Sequence, residues 1–276
     1  MQTILVTGAS GFVGKQILKA MSTERIKLIP IVRAGKEHTV SDIINVERVI
    51  STPDLFLENE DWWVHACTGI DVIVHAAWYT EPGKYLQSIK NVDCLIGSMS
   101  MAKGAVKAGV KHIVGIGTCF EYDLTSGILP VGTPLRPSTP YAAAKVALYF
   151  GLLHWLPVQN ICFSWCRLFY LYGDGEDDRR LVSYIRKQLA KGEPVELTSG
   201  KQIRDFMDVG EAAKKIAAIA ITRQEGVFNI CSGIPITIRE LAEKIADEYG
   251  NRELLRFGAR PDNIIDPPIV VGVVNG

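Results

Sequence analysis

A glycine-rich turn lies between an apolar run and a helical repeat at the very start of this chain. Residues 3–7 are apolar or β-branched and read as a buried strand. Gly8-Ala9-Ser10-Gly11-Phe12-Val13-Gly14 follows at once, and Val13, Ile17, Leu18 and Met21 then recur at helical spacing. Gly8 permits the tight turn. Gly11 lets the backbone approach a pyrophosphate, and Gly14 lets the helix pack against its strand. The helix N-terminus adds free N–H groups and a partial positive charge. A bare glycine trio could be a plain turn. The strand–turn–helix setting instead predicts a dinucleotide site built from Gly8, Ser10, Gly11, Phe12, Val13 and Gly14.

The rest of the chain alternates strands with helices, which means an α/β fold. A second strand, 27–32, ends at Arg33, with Lys36 close behind. An acidic residue there would bind the ribose 2′-OH of NAD, whereas an arginine suits a 2′-phosphate. NADP(H) is therefore favoured, with NAD(H) as the alternative. A weak third strand begins at Val49, and Asp54 and Leu55 lie in the turn after it. Trp62, Trp63 and Ala66 read as part of a packed helix. The β-branched run 71–77 is a fourth strand, continuous enough for a parallel sheet covered on both faces. It ends in His75, Ala76 and Ala77, and His75 is expected to be a structural histidine beside the cofactor.

A long helical stretch, 85–108, contains Asn91. A fifth strand, 111–116, delivers Thr118, Cys119 and Phe120 beyond its C-terminal end, where ligands bind in doubly wound sheets. Thr118 could hydrogen-bond a reacting oxygen or satisfy loop backbone. A sixth strand, 160–168, precedes an acidic loop, 173–178. That loop reads as solvated, since it lacks the alternate-position ligands and closing glutamate of a calcium loop. Helices at 181–189, 209–221 and 236–249 and strands at 194–197 and 227–230 complete the pattern.

Thr139-Pro140-Tyr141-Ala142-Ala143-Ala144-Lys145 opens a further helix. Ser138 or Thr139 can cap it, and Pro140 suits its first turn. The helix runs to about residue 155. Tyr141 and Lys145 sit one turn apart on the same face. An ammonium beside a phenol lowers the phenol's pKa from about 10 and makes it usable as a general acid or base. Taken alone, such a pair is also what two solvated residues on a helix surface look like.

Composition bounds the partners. The 276 residues carry no net charge and show no basic stripe, so nucleic acid and anionic membrane are not expected partners. No apolar run is long enough to span a bilayer, and the N-terminus lacks a signal-peptide pattern. Cys67, Cys94, Cys119, Cys162, Cys166 and Cys231 are scattered, as reduced core thiols of a cytoplasmic protein would be. The five histidines are dispersed, and no metal site is expected.

Several motifs together resemble the extended short-chain dehydrogenase/reductases of the nucleotide-sugar epimerase/dehydratase family, over nearly the whole chain. They are Thr7 to Gly14, Asp71 to Ala77, Asn91, Thr118 with Tyr122, Tyr141 with Lys145, Arg204-Asp205-Phe206 and Phe228-Asn229-Ile230. The resemblance implies a Rossmann-type doubly wound parallel sheet over 1–168, joined by part of 205–230. A smaller, mainly substrate-binding α/β domain would occupy 169–276. Tyr141 would exchange a proton with C4–O of the sugar and Thr118 would orient that oxygen. Lys145 would bind the nicotinamide ribose and depress the Tyr141 pKa. Gly8, Ser10, Gly11, Phe12, Val13, Gly14, Arg33, Asp54, Leu55, Ala76, Ala77 and Asn91 would line the cofactor with them. Thr118, Cys119, Phe120 and Tyr170 would face a nucleotide-diphosphate sugar, and Arg204 and Arg260 would hold its diphosphate.

The departures narrow this. Thr118-Cys119-Phe120 stands where the family's dehydratases have Thr-Asp-Glu, Asp174 where proline is usual, and Tyr170 where many members have asparagine. The chain stops at Gly276, in a region where such proteins usually continue into a further helix, so either this sequence is short there or the tail is missing. The expected activity is an NADPH-dependent nucleotide-sugar 4-ketoreductase on a deoxysugar pathway. An NAD-dependent 4-epimerase and a non-catalytic NADP-sensing protein on the same fold are the alternatives. A homodimer through the 85–108 and 140–155 helices is expected.

Overall fold

The computed structural model describes residues 1–263 and 266–275. In chain order its strands are β1 (Gln2–Thr7), β2 (Ile26–Arg33), β3 (Ile50–Thr52), β4 (Val72–His75), β5 (His112–Thr118), β6 (Ile128–Leu129) and β7 (Cys162–Leu168). They continue with β8 (Tyr170–Tyr172), β9 (Val195–Leu197), β10 (Ile203–Asp208), β11 (Gly226–Ile230), β12 (Pro235–Thr237), β13 (Leu255–Phe257) and β14 (Ile269–Gly272). The helices are α1 (Phe12–Met21), α2 (Glu60–Ala66), α3 (Lys90–Ala108), α4 (Pro140–Trp155), α5 (Leu181–Ala190), α6 (Val209–Thr222) and α7 (Ile238–Tyr249).

The long apolar strands form one sheet in the order β11-β7-β5-β4-β1-β2-β3. Every neighbouring pair in it is parallel. The chain winds one way from β1 to β3 and the other way from β4 onward, so the winding reverses between β1 and β4. There Thr7 lies opposite His75. A crevice outside the strand ends at such a reversal is where doubly wound sheets bind ligands.

Both faces of this sheet are covered, which is why its strands read as unbroken apolar runs. On one face Ile17, Leu18 and Met21 of α1 pack with Ala212, Ala213 and Ile216 of α6. On the other, Trp63 of α2 packs with Met101 and Ala105 of α3 and Leu148 and Leu152 of α4. Trp63 is fully buried, as the packing reading of the tryptophan pair expects.

A second sheet runs β12-β10-β14-β6, with β8 also paired to β10. A two-stranded β13-β9 ribbon packs with α5 and α7 through Val182, Ile185, Leu197, Ala242 and Ile245. β10 leads straight into α6, whose first N–H groups at Gly210 and Glu211 are capped by the Asp208 carboxylate.

Among the boundaries that differ from expectation, two have a visible cause. The helix expected from residue 85 begins at Lys90, and Tyr85–Gln87 is a separate 3-10 turn. Ser88 is extended there, and the Asn91 side chain donates to the carbonyls of Tyr85 and Ser88. A side chain that captures nearby carbonyls in this way competes with helix continuation. The last helix starts at Ile238 because Thr237 and Glu240 form a capping box, and Pro235–Thr237 before it is a strand. No helix among the described residues is long and apolar enough to cross a membrane.

Candidate active site

The glycine turn is fixed by close contacts. Gly8 has φ +65°, and a Cβ on it would lie 2.8 Å from Ala77 backbone atoms. A Cβ on Gly14 would lie 2.2 Å from the Gly8 carbonyl oxygen. Gly11 caps α1 without a side-chain acceptor, so the first N–H groups of the helix remain available to an anion. This cradle fits a dinucleotide pyrophosphate. Ser10 stands in the same turn, and Phe12 and Val13 open α1. Arg33 ends β2 beside Thr52 of β3, exposed and outside every ion pair found among the described residues. Asp54 and Leu55 form the turn just after β3, where the Asp54 carboxylate accepts the Phe56 N–H at 3.0 Å.

Ala76 and Ala77 follow β4, and the Ala77 N–H donates to the Thr7 hydroxyl at 3.2 Å. His75 is buried between Thr7 (Nδ1 to Oγ1, 2.9 Å) and Ser98 (Nε2 to Oγ, 2.8 Å). Burial, reinforced by Lys145, pulls its pKa down to about 3. It is therefore a neutral, fully partnered ring, and the structural expectation for it holds.

Tyr141 and Lys145 come from the first turns of α4, started by Pro140 and by the Thr139 hydroxyl accepting the Ala142 N–H at 3.2 Å. Both side chains are buried. Tyr85 stands edge-on to the Tyr141 ring at 4.9 Å between centroids. The Lys145 ammonium donates to the Ile116 carbonyl at 2.6 Å and lies 3.7 Å from the centroid of the Trp78 ring.

One expectation is overturned here: the Tyr141 phenol is not acidified. Burial pushes its pKa up, with Tyr85 and Glu121 adding to the rise and the Thr118 side chain opposing it. Burial also lowers Lys145 to about 7, against the pull of Glu121 and Cys94. Helical spacing brought the two residues to one site, but desolvation decides their charge states.

Asn91, expected along the cofactor, is held by the fold itself. It is buried, and its side chain accepts from the Trp78 indole N–H at 2.8 Å while both of its donors hold the 78–88 loop. It clamps that loop.

Thr118 is the last residue of β5. Its hydroxyl accepts the Phe120 N–H at 3.3 Å, and its own N–H donates to the Glu121 carboxylate at 2.8 Å. Cys119 is buried, and burial pushes its thiol up to about 12. Phe120 meets Tyr170 edge-on at 6.2 Å, and the Arg204 guanidinium lies 5.4 Å from the Tyr170 centroid. These side chains form one wall. Arg204 is itself paired with Asp266 at 3.2 Å.

Arg260 lies apart from Arg204. It stacks on Tyr184 at 4.7 Å, donates to the Tyr184 hydroxyl at 3.0 Å and lines a groove with Leu181, Leu197, Thr198 and Gln202. Gln202 also donates to Asp266, which connects that groove to the Arg204 side. In the acidic loop, Asp174 pairs with Lys19, Asp177 with Arg179 and Asp178 with Lys187. No cluster among the described residues could hold a metal ion.

Sequence reasoning missed Trp78, Tyr85, Glu121 and Arg167. The one local signal for Trp78 is an aromatic directly after the strand-end alanines. Glu121 and Arg167 had none.

Known proteins resemble this chain in sequence and in fold. The family model described as the NAD dependent epimerase/dehydratase family matches residues 4–231. The chain is 25% identical over 273 residues to dTDP-6-deoxy-L-talose 4-dehydrogenase (NAD(+)) of Aggregatibacter actinomycetemcomitans, covering 98% of each. It is 26% identical over 261 residues to GDP-6-deoxy-D-mannose reductase of Pseudomonas aeruginosa, covering 89% of this chain and 80% of that one. The fold matches dTDP-glucose 4,6-dehydratase DesIV of Streptomyces venezuelae, solved with NAD and TYD bound, with TM-score 0.83 and 21% identity over 99% of this chain and 88% of that one. Since the family match runs from β1 through the Tyr141–Lys145 helix to the end of β11, the chain belongs to the NAD-dependent epimerase/dehydratase family of extended short-chain dehydrogenase/reductases.

Proposed function

We propose that the protein is a nucleotide-sugar 4-ketoreductase that uses NADPH on a 4-keto deoxysugar nucleotide. The observation that carries this reading is the state of the turn after Thr118. Cys119 is a neutral buried thiol and Phe120 a phenyl ring, and the one carboxylate of the turn, Glu121, is locked to Arg167 at 2.6 Å. Dehydration needs free acids beside the sugar, whereas reduction of a ketone needs only a proton donor. Tyr141, kept protonated by burial, is that donor. Its O–H proton passes to C4–O as the carbonyl becomes an alcohol, and the phenolate left behind is reprotonated from solvent. Thr118 orients C4–O, and Lys145 binds the nicotinamide ribose.

The glycine turn holds the pyrophosphate, with Asp54 and Leu55 toward the adenosine. The bound nicotinamide supplies the hydride that C4 receives. Arg33, exposed and unpaired, supports a 2′-phosphate and hence NADP(H). NAD(H) is the second reading, favoured by the cofactor in the talose dehydrogenase's name. Arg204 and Tyr170 face the sugar diphosphate. The Arg260 groove takes the nucleotide.

Exposed Ile89 at the start of α3, Val92 and Ile96 on it, and exposed Phe150 on α4 support a homodimer through these helices. Six free thiols, five of them buried, support a cytoplasmic location. We read 169–276 as mainly the substrate-binding part, without the stretch 209–230 that returns to the large sheet.

The test is to incubate the purified protein with NADPH and 4-keto-6-deoxyhexose nucleotides, following absorbance loss and product mass. Stoichiometric NADPH consumption with a two-hydrogen gain supports the reductase. Tightly co-purified NAD with interconversion of C4 epimers and no net consumption would replace it with the epimerase.

A further inference from the structure

Trp78 covers the Lys145 ammonium with its ring face at 3.7 Å, and its orientation is set by the surrounding fold. The indole N–H donates to Asn91 on α3 at 2.8 Å. Phe56 and Tyr141 meet the ring edge-on at 6.3 and 6.4 Å. Asn91 in turn anchors the loop carrying Trp78 through the carbonyls of Tyr85 and Ser88.

Lys145 needs such a partner. An ammonium has three donors and no acceptor, and the Ile116 carbonyl takes one of them. No carboxylate among the described residues forms an ion pair with it. The titratable groups facing it are few. Tyr141 lies one turn back on α4, and Cys94 comes from α3. His75 from β4 is held between Thr7 and Ser98. Glu121, from the turn after β5, is drawn to Arg167. A tryptophan face is the strongest aromatic partner for a cation and counts most where water is excluded.

We propose that Trp78 is a positioning residue of the nicotinamide site, whose indole face stands in for the acidic counter-ion that a buried lysine otherwise needs and so keeps Lys145 charged. This rests on reading Lys145 as a cofactor-binding group, but its first test needs no ligand. A protonated amine in contact with indole quenches its emission. The emission difference between the native protein and Trp78→Phe should therefore rise in one step as Lys145 loses its proton. The same step should be absent in Lys145→Met. A step that survives in Lys145→Met, or no step in the native protein, overturns the proposal.

The second test is the pH dependence of NADPH affinity, measured by calorimetry. Loss of the lysine charge weakens binding as pH rises. Trp78→Leu should move that midpoint about one unit lower, with Trp78→Phe in between. A side chain that only packs would weaken binding equally at every pH, and unmoved midpoints overturn the proposal. If the protein bound no dinucleotide at all, the cofactor reading would fall while the emission step still decided the Trp78–Lys145 pair.

Discussion

Glu121 Oε2 lies 2.6 Å from Arg167 Nε, with both side chains buried directly behind Thr118. The same carboxylate accepts the Thr118 N–H at 2.8 Å and the Trp165 indole N–H at 2.9 Å. The guanidinium also donates to the Tyr122 hydroxyl, which donates to Asn229 at 2.7 Å. The pair thus braces the turn after Thr118 against β7 and β11. Removing one partner leaves a buried charge, a loss of about 3–5 kcal/mol. Arg167→Met should therefore lower the urea midpoint sharply. An unchanged midpoint would mean that the pair carries no stability.

Tyr141→Phe keeps the ring that packs against Tyr85 and removes only the proton donor. Turnover should fall by about 10²–10⁴ while NADPH affinity stays the same. Single-turnover kinetics beside a binding titration separates the two, and undiminished turnover would reassign the acid.

Lys145 titrates near 7 in the folded protein against 10.5 in its ordinary state. Between those values unfolding takes up a proton, so stability rises with pH across this window, and below it the full burden of the buried charge is present. Lys145→Met should consequently melt several degrees higher than the native protein at pH 7, with the gap closing toward pH 10. Calorimetric melts across that range check it; a gap that widens with pH contradicts the assignment.

Arg33→Asp replaces a free guanidinium at the end of β2 with a carboxylate. A charged hydrogen bond is worth about 1.5–3 kcal/mol, so NADPH affinity should drop on the order of 10–100-fold while NADH affinity is kept or improved. Equal affinities of the native protein for both cofactors would remove the basis for the change.

Ile96 sits in the exposed apolar stripe of α3. Ile96→Asp should convert a dimer to monomers in sedimentation velocity while leaving the melting temperature of the subunit within about 1 °C, as expected of an exposed position. A native protein that is already monomeric defeats the proposed face.

The legible parts of this protein were those written within one element. The glycine spacing, the continuous strand β4 and the Tyr141–Lys145 turn each depend on neighbours a few residues away. Glu121 was illegible because its partner Arg167 is 46 positions distant and on another strand. Trp78 was illegible because its role is defined by α3 and α4 together. The direction of the Tyr141 pKa was misread because spacing reports proximity and says nothing about solvent. Strands β6, β8, β12, β13 and β14 span two to four residues each, too short to show a period of two.

The chain passes back and forth between its two main sheets, leaving the large one after β5 for β6 and again after β7 for β8, returning from β10 through α6 to β11, and leaving once more for β12. Neither sheet is therefore an exchangeable cassette. A chimera that grafted a relative's residues 169–276 onto this N-terminal part would import β11, a strand of the large sheet, and would leave β6 of the second sheet behind. Exchanging the second sheet as a unit demands three separate grafts, at β6, from β8 to β10 and from β12 onward, with α6 and β11 left native.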